Sequence, residues 1–153
     1  MKEALDNAVQ ELKRVDHLFY VSLKYTRTVD MMRHMIERLI STIDYGMESL
    51  LKHAKENKLI ANIPNNAGLR YELLKKTYPD NQELANYLNF YMRLRKILRA
   101  DYTKREEYRR HVTMISNVSG EIIEVSIDTL KEDYGTTKNF INFIRRTLYG
   151  EEE

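Results

Sequence analysis

Residues 29–54 carry an apolar side chain at almost every third or fourth position: Val29, Met32, Ile36, Leu39, Ile43, Met47, Leu50 and Ala54. A period near 3.6 places all of them on one face of an α-helix, whereas a strand of that length would turn about half of them to water. The spacing predicts a helix from about 28 to 57, with Thr28 as its N-cap and a length of roughly 45 Å. Glu48 and Lys52 add an i,i+4 pair on its outer side. A helix this long needs other apolar faces to cover it, so the rest of the chain is read as what packs around a spine.

Leu5, Ala8, Val9, Leu12, Val15, Phe19 and Leu23 predict a first helix over 3–24. Asp16 falls inside its apolar arc, where an acid needs a partner. The stretch Lys24–Thr28 interrupts the phase and reads as a kink or turn. Residues 59–68, with Pro64 and three asparagines, read as the main loop. A short helix at about 67–77 ends before Tyr78-Pro79. Asp80 and Glu83 resemble a capping box for a helix over 81–100, striped by Leu84, Tyr87, Leu88, Tyr91, Leu94 and Leu98. Thr103 and Glu106 resemble another, opening a long helix through Val112, Ile115, Val118, Ile122 and Val125 to about 133. Gly120 inside it is read as a close helix crossing and Gly135 as its C-cap. A last helix over 137–149 carries Phe140, Ile141, Phe143, Ile144 and Leu148. The expected class is all-α: an antiparallel bundle of five to six helices, with long ones at about 28–57 and 103–133. It forms one domain over 1–150 and ends in an acidic tail at 151–153.

Absences narrow the chemistry. The chain has no cysteine, which removes disulfides, thiolate zinc sites and cysteine nucleophiles and suits a reducing cytoplasm. No apolar run approaches the roughly 20 residues of a membrane span, and the acid-bearing start is unlike a secretory leader. His17, His34, His53 and His111 lack ligand-like spacing, and there is neither a Glu-x-x-His pair nor a Gly-rich phosphate loop, so neither metal nor cofactor is expected. Charged residues make up 31%, with 25 basic against 23 acidic, a balance that suits a thermophile's ion-paired surface.

The basic charge clusters between residues 93 and 111, where eight Lys and Arg stand against Asp101, Glu106 and Glu107. Helical phase puts Arg95 inside the apolar arc of its helix and Arg99 at the margin. A buried guanidinium needs a partner, for which Asp16 and Asp101 are the candidates. Arg95 and Asp16 could equally be an internal pair that fixes helix register, or Arg95 could snorkel to solvent. His111 falls on an apolar arc with Arg105 at its edge. A histidine there is a packed core residue on one reading. On the other, arginine grips a phosphodiester and histidine moves the proton in RNA cleavage. Tyr91, Tyr102 and Tyr108 supply rings that could stack on bases.

Arg95-x-x-x-Arg99-Ala-Asp101-Tyr102, together with the long paired helices of 3–57, resembles the HEPN superfamily of small helical domains found in prokaryotic toxin–antitoxin and defence systems. Its RNase members carry Arg followed by His after four to six positions. Residues 104–106 are Lys, Arg and Glu, so the chain is most similar to the branch with Asp-Tyr in place of that pair. The resemblance implies a non-cleaving module, acting as a homodimer or beside a nucleotidyltransferase-like protein. Nucleotide or RNA phosphates are then the expected ligand, with Arg95, Arg99, Asp101 and Tyr102 binding them. The alternatives are a metal-independent RNase using Arg105 and His111, and a helical interaction domain whose last helix docks a partner.

Overall fold

The computed structural model describes residues 1–150; the acidic tail at 151–153 lies outside the described residues. The chain runs through α1 (Lys2–His17), one π-helical turn (Leu18–Ser22) and the stub α2 (Leu23–Tyr25), then breaks before α3 (Val29–Glu56). It continues with α4 (Ala67–Thr77), α5 (Gln82–Arg99), β1 (Asp101–Arg105), β2 (Thr113–Val118), β3 (Glu121–Ser126) and α6 (Ile127–Tyr149).

α3 is the spine that its stripe predicts. Met32, Ile36, Leu39, Ile43, Met47, Leu50 and Ala54 are all buried, and α1, α4, α5 and α6 pack around them. Thr28 caps it, accepting from the Met31 amide at 3.2 Å. Gly46 lets α6 approach: a Cβ there would lie 2.7 Å from both Ile144 Cδ1 and Phe140 Cε2. The close crossing assigned to Gly120 in sequence therefore belongs to Gly46.

The all-α expectation is wrong between 101 and 126. No helix spans 103–133; the segment forms a three-stranded antiparallel sheet in the order β1-β2-β3. The same apolar residues fit two periods. Val112, Ile115, Val118, Ile122 and Val125 fall at helical intervals, but most of the run is β-branched and packs better on a pleated surface. In the sheet, Met114 pairs with Val125 and Ser116 with Ile123, and these four turn inward onto the helices. Ser119 and Gly120 form the two-residue hairpin turn, with φ of 53° and 89°, a conformation that glycine adopts without strain. The Thr103–Glu106 box does not form, because Thr103 is in β1 and Glu106 begins a loop at φ 53°.

Two other expected boundaries move. α6 starts ten residues before the expected 137, behind a capping box of Ser126 and Thr129, and Gly135 lies in its interior rather than at a C-cap. α5 is capped by Asn81 in place of Asp80; the Asn81 side chain accepts from the Leu84 amide at 3.0 Å. Asp16 is exposed, not in the core, and accepts from the Tyr134 hydroxyl at 2.9 Å.

Asp133 on α6 is partly buried, and that burial pushes its carboxyl up to about 6, against the pull of Arg93 and with a further push from Glu132. Its raised value favours the protonated native state, so this contribution to stability is present below about pH 4 and is lost as pH rises through about 6. Asp133→Asn should therefore stabilise the protein near neutral pH, by on the order of 2 kcal/mol, and have little effect near pH 4. Urea unfolding of both proteins at the two pH values checks this; equal differences at both would remove Asp133 as the source.

Candidate anion-binding cleft

The sheet register builds the floor of a cleft. Arg105 pairs with Thr113 and Thr113 with Ser126, so the three form one row across the sheet, a step along from the inward Met114 and Val125. Ser126 is also the N-cap of α6. Its hydroxyl accepts from the Thr129 amide at 3.2 Å, while Thr129 Oγ1 accepts from the Ser126 amide at 2.8 Å. A helix of 23 residues thus begins at the end of that row, and its dipole makes the position electropositive.

The loop at 106–112 forms one wall, held against the start of α3. Glu107 Oε2 accepts from the Val29 amide at 3.0 Å, and the Tyr108 amide donates to the Arg27 carbonyl at 2.7 Å. Lys104 reaches Glu107 at 3.5 Å and Asp30 at 3.8 Å, and these two carboxylates raise its ammonium above its ordinary value. The anchoring carries Arg110 and His111 to the mouth, where Arg27 joins them from the segment before α3. The resulting cleft has a volume of about 670 Å³ and is lined by Arg27, Arg105, Arg110, His111 and the first turn of α6. Glu106, Glu124 and Asp128 share the lining, and Arg105 Nη1 donates to Glu124 Oε1 at 3.0 Å. The cleft is not a plain basic patch: three carboxylates share the lining with the three arginines, and Glu124 is paired with Arg105.

The residues singled out in sequence separate into three places. Arg105 and His111 line the cleft together. Arg99, the last residue of α5, and Asp101, at the far end of β1 and about 13 Å along the strand from Arg105, are both exposed. Arg95 and Tyr102 belong to the scaffold. Arg95 Nη1 donates to the Tyr91 hydroxyl at 2.8 Å, and that hydroxyl donates to Asp44 Oδ1 at 2.6 Å. Arg95's partners are thus Tyr91 and, through it, Asp44 rather than Asp16. Burial and the hydrogen bond to Asp44 push the Tyr91 phenol up to about 12, and burial raises Asp44 against the lowering effect of the Tyr91 bond and Arg95. Tyr102 lies under Arg33, whose guanidinium is 4.2 Å from the ring centre and donates to the Leu98 carbonyl at 2.9 Å.

The sequence does not single out Arg27, which sits in a stretch that reads only as a kink, nor Arg110 from among the basic residues of 93–111. The one available signal was Ser126–Thr129, a capping pair just before the apolar stripe of α6. Among the described residues, no group of three or more His, Asp or Glu is placed to hold a metal ion, and no helix is long and apolar enough to cross a membrane. Comparison with protein-family models, curated proteins and solved structures finds no match to the chain.

Proposed function

We propose that the chain is a binding module for nucleotide or RNA phosphates, and that the phosphates enter the cleft between the 106–112 loop and the start of α6. The observation that carries this reading is the convergence of Arg27, Arg105, Arg110 and His111 on one helix N-terminus. A guanidinium presents paired N–H donors that match phosphate oxygens, and first-turn amides have no partner within their own helix. Glu124 holds Arg105 in position until a phosphate competes for it. Relative to the whole basic segment of 93–111, the reading narrows to 105–111 and adds Arg27. The HEPN likeness extends the proposal to a cytoplasmic homodimer, or to a partner of a nucleotidyltransferase-like protein in a toxin–antitoxin or defence system.

Filter retention of single-stranded RNA and of a labelled nucleoside triphosphate tests the proposal. The Arg27→Ala/Arg110→Ala double variant should bind at least about tenfold more weakly at low salt, and its salt slope should fall by about 1–2, as expected when two phosphate contacts are lost. Retention of neither ligand by the parent at low salt would sink the reading.

A second reading has one observation in its favour: Arg105 and His111, the pair expected of a metal-independent RNase, line the same cleft. Arginine would hold the scissile phosphate while histidine takes the 2′-hydroxyl proton. If it holds, RNA is shortened by the parent and left intact by His111→Ala; RNA left whole by the parent leaves binding alone.

A further inference from the structure

On another side of the molecule, α1 and α3 enclose a groove of about 360 Å³ whose polar lining is Gln10, Lys13, Arg14, His17, His34 and Arg38. Among the described residues, and unlike the cleft at α6, no carboxylate lines it. The acid that belongs to it lies beneath. Glu11 is buried, with a side chain only 7% exposed, and it accepts from Arg14 Nη1 at 2.7 Å and from Arg38 Nη1 at 3.2 Å.

That arrangement clamps two guanidiniums from different helices on one buried carboxylate. Each guanidinium carries five N–H donors. Each gives only an Nη1 donor to Glu11, and neither side chain makes another hydrogen bond among the described residues. The remaining donors stay available to the groove and to solvent, and each contact with Glu11 restricts the side chain that makes it. Lys13 brings a third permanent positive charge, and His17 and His34 add ring nitrogens from both walls. Glu37 is the nearest exposed acid, 3.8 Å from His34 Nδ1. The π-helical turn begins immediately after His17 with Leu18, which also lines the groove. Such turns recur at functional sites because they interrupt the regular helical ladder.

We infer that this groove is a second binding site, specific for the phosphate chain of a small molecule such as pyrophosphate or a nucleoside di- or triphosphate. Two guanidiniums held on a single buried acid, with the Lys13 ammonium beside them, match a ligand with at least two negative charges. The short, two-walled groove takes a phosphate chain better than an extended polymer. The site shares no residue with the cleft at α6 and stands whether or not that cleft binds phosphate.

Titration of the ¹⁵N-labelled full chain at low salt, followed by amide and histidine resonances, tests it. Inorganic pyrophosphate should shift residues 10–18 and 34–38, a nucleoside triphosphate should shift the same set, and the unphosphorylated nucleoside should not. A larger affinity for the triphosphate would identify a nucleotide as the source, and equal affinity would identify the phosphate chain alone. Lys13→Glu and His34→Gln leave the Glu11 clamp intact. Lys13→Glu should weaken pyrophosphate binding at least about tenfold, and His34→Gln severalfold, while Arg27→Ala/Arg110→Ala should leave it unchanged. No shift in these residues with pyrophosphate would overturn the proposal, as would a Lys13→Glu variant of unaltered affinity.

Discussion

Phe140→Ala should lower stability by about 3–5 kcal/mol, the largest effect expected of any single truncation in α6. Phe140 is 1% exposed, lies 5.1 Å from the Tyr87 ring centre and 6.3 Å from that of Phe143, and is one of the two side chains that fill the space over Gly46. The crossing gives a matching prediction from the other helix. Gly46→Ala gains about 1 kcal/mol of helix propensity but must push Phe140 and Ile144 aside, which costs about 1–3 kcal/mol. The variant should be less stable than the parent in urea. Combining it with Phe140→Leu should recover part of that loss, since the two sites share the same space. Strict additivity would mean that α6 shifts away as a whole and that the crossing is not close-packed.

Tyr91→Ala should cost about 3–5 kcal/mol, and Tyr91→Phe should retain most of the packing yet still cost about 1–3 kcal/mol. The ring is wholly buried, and among the described residues its hydroxyl alone hydrogen-bonds to both the Arg95 guanidinium and the Asp44 carboxylate. Removing the hydroxyl deprives both ends of their partner at once. Arg95→Ala should consequently be non-additive with Tyr91→Phe, and additive with Asp16→Ala within about 0.5 kcal/mol. Thermal unfolding of the two double-mutant cycles decides between the partners; coupling of Arg95 to Asp16 would contradict the observed network.

The helical part of the fold was legible because one period dominated each stretch. Thr28 followed by the stripe from Val29 located α3, and Tyr78-Pro79 located the end of α4. The sheet was not legible because Val112, Ile115, Val118, Ile122 and Val125 satisfy a helical repeat by accident, while the strands turn inward a set that shares only Val125 with it: Met114, Ser116, Ile123 and Val125. Ser119-Gly120 was the available correction: a two-residue turn between β-branched runs outweighs a loose helical match. For the cleft, the error had a different origin. Helical phase can mark Arg95 as out of place on an apolar face, but the tyrosine that satisfies it is one turn earlier on that face, and Asp44 is on a helix far away in sequence. Arg27 and Arg110 meet only because the 106–112 loop folds back on the start of α3. No local pattern encodes that contact.

β1 is an edge strand, paired on one side only. Its outer row of N–H and C=O groups is the kind of template on which another chain can add a strand. Lys104 and Arg105 sit at one end of that row, both substantially exposed, so the charge that Arg105 turns to the cleft and the charge that Lys104 carries on the other face both discourage a neighbour from extending the sheet. An apolar replacement of Arg105 would therefore change the cleft and lower a barrier to self-association in the same step, whereas one of Lys104 would lower the barrier alone. Arg27 and Arg110 lie outside the strand, so replacing them tests the proposed phosphate site without touching the edge of the sheet.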